Sequence, residues 1–258
     1  MSPSINRGDL PALLRSGKST YGTFLGLGTP LTAEIAAIAG LDWVLLDLEH
    51  GASSESDIGD TVVSAGAYGI PTIVRVESNE RIRIGRALDA GAAGLMIPRI
   101  ETVEQVHAVL RCMTYPPKGE RGVATYNRSA AWGTDVTGIY AGRESVCIIQ
   151  IETLGALAKV EEIAAIDGVD VLFVGPLDLS FALGVPQEFK NKKYLEATNR
   201  VIAAAQAHGK VAGILAPDAD AAQELRDRGF NFVVIGSDST ILTKSISQLV
   251  TQLKKSEK

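Results

Sequence analysis

Cysteine is scarce in this 258-residue sequence: only Cys112 and Cys147 occur. They are too far apart for a local metal pair and too few for a disulfide framework, which fits a reducing, cytoplasmic compartment. Cys147 lies in an apolar run and is expected to be a buried thiol, whereas Cys112 falls in a helix-like stretch. No run reaches the roughly 18 apolar residues that span a bilayer. Met1 to Arg7 holds no apolar signal-peptide core. Neither sign of charge dominates: 25 Lys+Arg stand against 30 Asp+Glu, a net −5 without clustering. A basic nucleic-acid face is not apparent. No low-complexity segment or linker divides the chain, so one domain over residues 1–258 is expected, without nucleic-acid or membrane partners.

What the sequence does have is rhythm. Apolar residues make up 46% and charged residues 21%, as in ordinary globular proteins. Eight short apolar runs recur: Thr23–Leu25, Trp43–Leu46, Thr72–Val74, Gly94–Ile97, Val146–Ile149, Val171–Val174, Val211–Leu215 and Phe232–Ile235. They are continuous rather than alternating, as parallel strands covered on both faces should be. Helix-like stretches lie between them, among them Leu31–Ala39, Asn79–Ala90, Thr153–Ile166, Leu195–His208 and Ala219–Arg228. Pro or a capping residue precedes several of them, and Gly follows most. The alternation predicts an α/β fold, a single (β/α)8 TIM barrel with an extra N-terminal helix. A doubly wound open sheet is the alternative, but Gly26-Leu27-Gly28-Thr29-Pro30 lacks its glycine-rich phosphate turn. One stretch breaks the rhythm before the fifth strand. Thr114 to Ser145 holds several prolines and glycines together with Arg121, Tyr126, Arg128 and Trp132. It is either an ordered surface excursion or a binding or interface element.

Chemistry in such a barrel sits at the C-terminal ends of the strands. Glu152 and Asp178 lie one β/α unit apart, after the fifth and sixth runs. Two carboxylates on strands about 4.8 Å apart repel unless a cation or proton lies between them. They suit Mg²⁺ or Mn²⁺, or each instead serves the start of its own helix. His50 follows Asp47 and Glu49 directly after a buried run and is placed as a general base, or is satisfied by backbone. The other two histidines, His107 and His208, fall on helices. Arg75 ends the third run and either stabilises an oxyanion or pairs with Glu77 or Glu49. The turn Gly175-Pro176-Leu177-Asp178 can present backbone N–H groups to a carboxylate, or merely start a helix.

With these residues in place the sequence resembles the HpcH/HpaI aldolase family, metal-dependent class II pyruvate aldolases of the phosphoenolpyruvate/pyruvate barrel superfamily. The resemblance runs from about Tyr21 to Leu242. Its motifs are Trp43 to His50, Val74-Arg75, Tyr115 to Val123, Gln150-Ile151-Glu152-Thr153 and Phe173 to Ser180. It implies that Glu152 and Asp178 hold a divalent metal, Mg²⁺ first, with Mn²⁺ or Co²⁺ as alternatives, and that no organic cofactor is needed. Gln150 then binds a substrate oxygen. His50 exchanges the proton, Arg75 stabilises the enolate, and Asp89 raises the basicity of the histidine. Backbone around Gly175, Pro176 and Leu177 takes the carboxylate. Leu177 stands where alanine is common, and Ala124-Thr125 where Gly-Ser is frequent; both bear on the aldehyde.

The expected activity is cleavage of a 4-hydroxy-2-oxo acid to pyruvate and an aldehyde. Oxaloacetate decarboxylation, or a macrophomate synthase-like reaction, is the alternative on the same enolate. None of these strand ends carries a lysine for a Schiff base. Asp89 stands at a helix end, which in a barrel lies away from the mouth. Either a neighbouring subunit supplies it, making the protein an obligate trimer or hexamer, or the helix stops early and the chain turns upward.

Overall fold

The computed structural model describes residues 9–134 and 145–256, so Met1 to Arg7 and the part of the excursion holding Gly138 and Gly142 lie outside the described residues. Every apolar run becomes a strand: β1 (Thr20–Leu25), β2 (Trp43–Asp47), β3 (Thr72–Arg75), β4 (Gly94–Ile97), β5 (Val146–Ile151), β6 (Val171–Val174), β7 (Val211–Ala216) and β8 (Phe232–Ser237). All neighbours are parallel and follow sequence order, and β8 closes on β1. This is the (β/α)8 barrel that the alternation predicts.

The continuous runs divide by parity. Trp43, Leu45, Ile73, Met96, Ile148, Phe173 and Phe232 form one cluster, the filling of the barrel. Their neighbours Val44, Leu46, Val74, Leu95, Ile149 and Leu172 pack in the layer that includes the surrounding helices. The widest ring inside is Trp43, stacked on Phe232 at 4.0 Å. Gly22 faces it, and a Cβ there would overlap the indole. The expected N-terminal helix is Leu10–Arg15, started by Asp9, whose Oδ1 accepts from Ala12 N at 2.9 Å. Leu10 is fully buried within the inner cluster and touches the start of β4, so this helix plugs the end opposite the mouth.

Helices follow the strands at Leu31–Ile38, Ile58–Ala67, Arg81–Asp89, Val103–Met113, Lys192–Ala207, Ala219–Arg228 and Asp238–Ser256. The stretch expected as one helix over Thr153–Ile166 is instead two, Leu154–Ala158 and Val160–Ala164. Lys159 leaves helical geometry between them at φ −110°. A further short helix, Pro176–Ala182, follows β6. The excursion folds back along the helix before it: Arg121 N donates to Thr114 O at 3.0 Å, and the Arg121 guanidinium lies 4.5 Å over the Tyr115 ring. Both cysteines are free and buried. Among the described residues no helix is long and apolar enough to cross a membrane.

Candidate active site

At the C-terminal end of the barrel the inward rows turn polar. Asp47 continues Trp43 and Leu45, Arg75 continues Ile73, and Gln150 and Glu152 continue Ile148. Strand register sets Asp47 beside Arg75. Arg75 Nε and Nη2 donate to the two oxygens of Asp47 at 2.8 and 2.6 Å. Its Nη1 lies 3.1 Å from Glu49 Oε2, and the guanidinium sits 4.7 Å over the Phe24 ring. Burial disfavours the Arg75 charge, but the bonds and charges of Asp47 and Glu49 outweigh it and raise the pKa above the usual arginine value. Of the two pairings open to Arg75, Glu49 is realised, whereas Glu77 turns to Arg83. Two of the five guanidinium N–H groups remain for a ligand.

Asp47 also shapes the loop. Its Oδ1 accepts from Glu49 N at 3.1 Å and His50 N at 3.3 Å, a local turn at the strand end. The His50 side chain is thereby left 70% exposed at the rim, with Nε2 3.9 Å from Glu49 Oε2.

Glu152 is the deep acid, 3% exposed. Its Oε1 accepts Arg99 N at 2.7 Å and its Oε2 accepts Gln150 Nε2 at 2.7 Å. A carboxylate only accepts, so it fixes the Gln150 amide with nitrogen inward and leaves Gln150 Oε1 buried without a partner. Gly175 makes the room: a Cβ there would lie 2.6 Å from Glu152 Oε2. Burial raises the Glu152 pKa, and the charges of Asp178 and Glu49 raise it further, against the Arg99 N–H and the Arg75 charge. Glu49 is likewise raised by burial and held back by Arg75 and His50. The capping roles open to the two acids fall to other residues. Thr153 Oγ1 accepts from Ala156 N at 3.0 Å, and the N-cap of the helix after β6 is Gly175. Asp178 lies in the first turn of that helix, half exposed.

These residues fit a hard divalent cation. Glu152 keeps a second lone pair on each oxygen, Gln150 Oε1 is a bare acceptor, and Asp178 faces the same rim. The donors are all oxygen, the set that Mg²⁺ or Mn²⁺ takes when water and substrate complete the shell. Among the described residues no group of three or more His, Cys, Asp or Glu side chains stands ready to hold a metal.

The fold thus gathers His50, Arg75, Gln150, Glu152, Gly175, Pro176, Leu177 and Asp178 on the rims of β2, β3, β5 and β6. It does not bring Asp89 with them. The helix Arg81–Asp89 runs unbroken to that residue, and Gly91 follows at φ +109°. Asp89 Oδ1 pairs there with Arg121 Nη2 at 2.7 Å. The early turn upward is therefore ruled out. Two site residues went unforeseen in their roles: Asp47 as the clamp of Arg75, and Arg99, whose backbone at φ +55° aims its N–H at Glu152.

A closed parallel barrel with acids, an arginine and a histidine on its C-terminal rim is the site of a TIM-barrel enzyme. The chain belongs to the HpcH/HpaI aldolase/citrate lyase family, whose model matches residues 20–245. A hydroxypyruvate/pyruvate aldolase of Delftia acidovorans is 36% identical over 236 residues, 91% of this chain and 88% of that protein. A 2-keto-3-deoxy-L-rhamnonate aldolase of Escherichia coli K12 is 35% identical over 243 residues, 93% and 91% of the two chains. The crystal structure of a family protein from Burkholderia cenocepacia J2315 superposes with a TM-score of 0.89 at 33% identity, covering 94% of this chain and 99% of that one. The chain is accordingly an enzyme, a carbon–carbon lyase of the aldolase type.

Proposed function

We propose that this enzyme is a divalent-metal-dependent aldolase that cleaves a 4-hydroxy-2-oxo acid to pyruvate and an aldehyde. The observation that carries this reading is Glu152, buried beside the bare Gln150 Oε1 in a space that Gly175 keeps open. Glu152 and Asp178 would hold the cation, with Mg²⁺ favoured and Mn²⁺ or Co²⁺ acceptable to the same oxygens. Bound there, a divalent cation supplies Lewis acidity to the keto and carboxylate oxygens of the substrate.

The remaining chemistry belongs to side chains of this chain. Backbone N–H groups about Gly175 to Leu177 receive the carboxylate. His50 takes the C4 hydroxyl proton. The C3–C4 bond then breaks, C4 leaves as the aldehyde carbonyl, and the electron pair moves into the C2–C3 enolate. Arg75, held flat by Asp47, turns its two free N–H groups to the enolate oxygen. Return of a proton to C3 gives pyruvate. Asp89 meets Arg121 of its own chain at the far end of the barrel, which supports a role toward His50 of a neighbouring subunit in a trimer or hexamer. Two unlinked buried thiols suit a cytoplasmic enzyme.

Pyruvate release from a panel of 2-oxo acids, with and without chelator, tests the reading. Chelator and Asp178→Asn should both abolish release; full activity of Asp178→Asn in chelator would sink the metal role. His50→Ala should lose aldol cleavage by about 10²–10⁴-fold and lose oxaloacetate decarboxylation far less, because decarboxylation has no hydroxyl proton to remove. Arg75→Ala should lower both.

A further inference from the structure

Arg99 stands just past β4, between Arg75 on β3 and Glu152 at the end of β5. Its φ of +55° lies in the left-handed region, which is strained for a non-glycine residue. What that backbone achieves is one hydrogen bond, Arg99 N to Glu152 Oε1 at 2.7 Å. Glycine would make the same bond without strain. The side chain is therefore what arginine adds at this position.

That side chain is underused. It is 63% exposed, and Nη1 stands 4.0 Å from Asp178 Oδ1, beyond hydrogen-bond range. Among the described residues its side chain meets no further hydrogen-bond or ion-pair partner, in contrast to Arg75, which is clamped by Asp47 and Glu49. A divalent cation on Glu152 and Asp178 would balance both carboxylates and remove the pull of Asp178. The guanidinium would then be an unmatched positive charge on the rim. Depth orders the substrate as well. The reacting carbons belong beside the buried Glu152 and Gln150, so the far end of the molecule emerges among the exposed groups, where Arg99 lies.

We propose that Arg99 is a specificity-determining residue that receives a carboxylate at the far end of the substrate, so that the preferred aldehyde partner is an oxo acid rather than a neutral hydroxyaldehyde. This rests on the aldolase reading. A guanidinium suits the task because it binds a carboxylate through paired N–H groups and never loses its charge.

The test runs the reaction in the joining direction with Mg²⁺ and pyruvate, using glyoxylate as the charged acceptor and glycolaldehyde as the neutral one of similar size. The intrinsic difference in reactivity between the two aldehydes cancels when variants are compared. Arg99→Gln should lower kcat/KM for glyoxylate about 10- to 100-fold more than for glycolaldehyde, chiefly through KM. Arg99→Lys should restore part of the difference. Arg99→Gly, which suits the backbone, should show the same change in ratio and keeps the test valid if the glutamine variant folds poorly. An equal fall for both acceptors would show that Arg99 only positions Glu152 and Asp178, and no change would show that its side chain is idle; either overturns the proposal. Wild-type enzyme that joins pyruvate to neither acceptor would instead sink the aldolase reading itself.

Discussion

Glu152 carries opposite demands at one residue. To hold the proposed cation its carboxylate must be ionised, yet burial, Asp178 and Glu49 all favour its protonated form. A carboxyl with a folded pKa above its unfolded value binds its proton more tightly in the fold. Its ionised form therefore costs stability at neutral pH, and the cost disappears as pH falls through the raised pKa. Glu152→Gln should then raise Tm in chelator at neutral pH while abolishing pyruvate release. The gap between variant and wild type should close as the pH is lowered toward the ordinary carboxylate range. A lower Tm for the variant at neutral pH would show that the empty site already compensates the charge. The acids themselves were legible in the sequence, because Glu152 and Asp178 end successive apolar runs. The backbone of Arg99 was not: nothing in Pro98-Arg99-Ile100 marks a left-handed residue, and only the position of Glu152 explains it. The clamp of Arg75 by Asp47 needed the β2–β3 register, which no run of letters supplies.

Elements fix where such residues can act. Continuous apolar runs revealed the strands but hid their parity, since both faces of each strand are buried. Once the barrel closes, parity decides that Asp47, Arg75, Gln150 and Glu152 face inward. Helix ends were legible where glycine or a capping residue marks them, as at Ala219–Arg228 with Asp218 before it and Gly229 after. The break at Lys159 has no such mark, so one helix was expected where two form. Gly175 shows what an element end can require. Its φ of −80° suits any residue, so its smallness alone matters. A Cβ would lie 2.6 Å from Glu152 Oε2 and 3.0 Å from Glu152 Cβ, and the carboxylate is held by two hydrogen bonds and has little space to yield. Gly175→Ala should weaken Mn²⁺ binding about 10- to 100-fold, measured by calorimetry. Gly85→Ala is the contrast: a helical glycine whose added Cβ would meet no atom of another element within 4 Å should gain roughly 0.5–1 kcal/mol of stability. Unchanged Mn²⁺ affinity in Gly175→Ala would mean that the cation does not sit on Glu152.

At the scale of the whole molecule the barrel leaves apolar surface uncovered. Helix Asp238–Ser256 is exposed along most of its length, with Leu242, Ile246, Leu249 and Leu253 at helical spacing and each more than half exposed. Leu31, Ile35 and Ile38 form a second exposed row on the helix after β1. Exposed apolar rows of this kind are the surface that the proposed oligomer would bury. The proposed role of Asp89 would give such an assembly a chemical meaning, because a group at the foot of one barrel could reach a His50 only on another chain. Coexpression of two inactive chains tests this directly. On the proposed roles His50→Ala lacks the base and Asp89→Asn lacks the acid behind it, so each alone should cleave poorly. If a neighbour supplies Asp89, mixed oligomers contain sites in which the histidine comes from the Asp89→Asn chain and the aspartate from the His50→Ala chain. Random pairing makes such sites about one quarter of the total, and activity should recover toward that fraction. With Leu249→Glu and Leu253→Glu added to both chains, light scattering should report single chains and the recovery should vanish. Mixed oligomers confirmed by mass but without regained activity would place both residues' roles within one chain and end the shared-site idea.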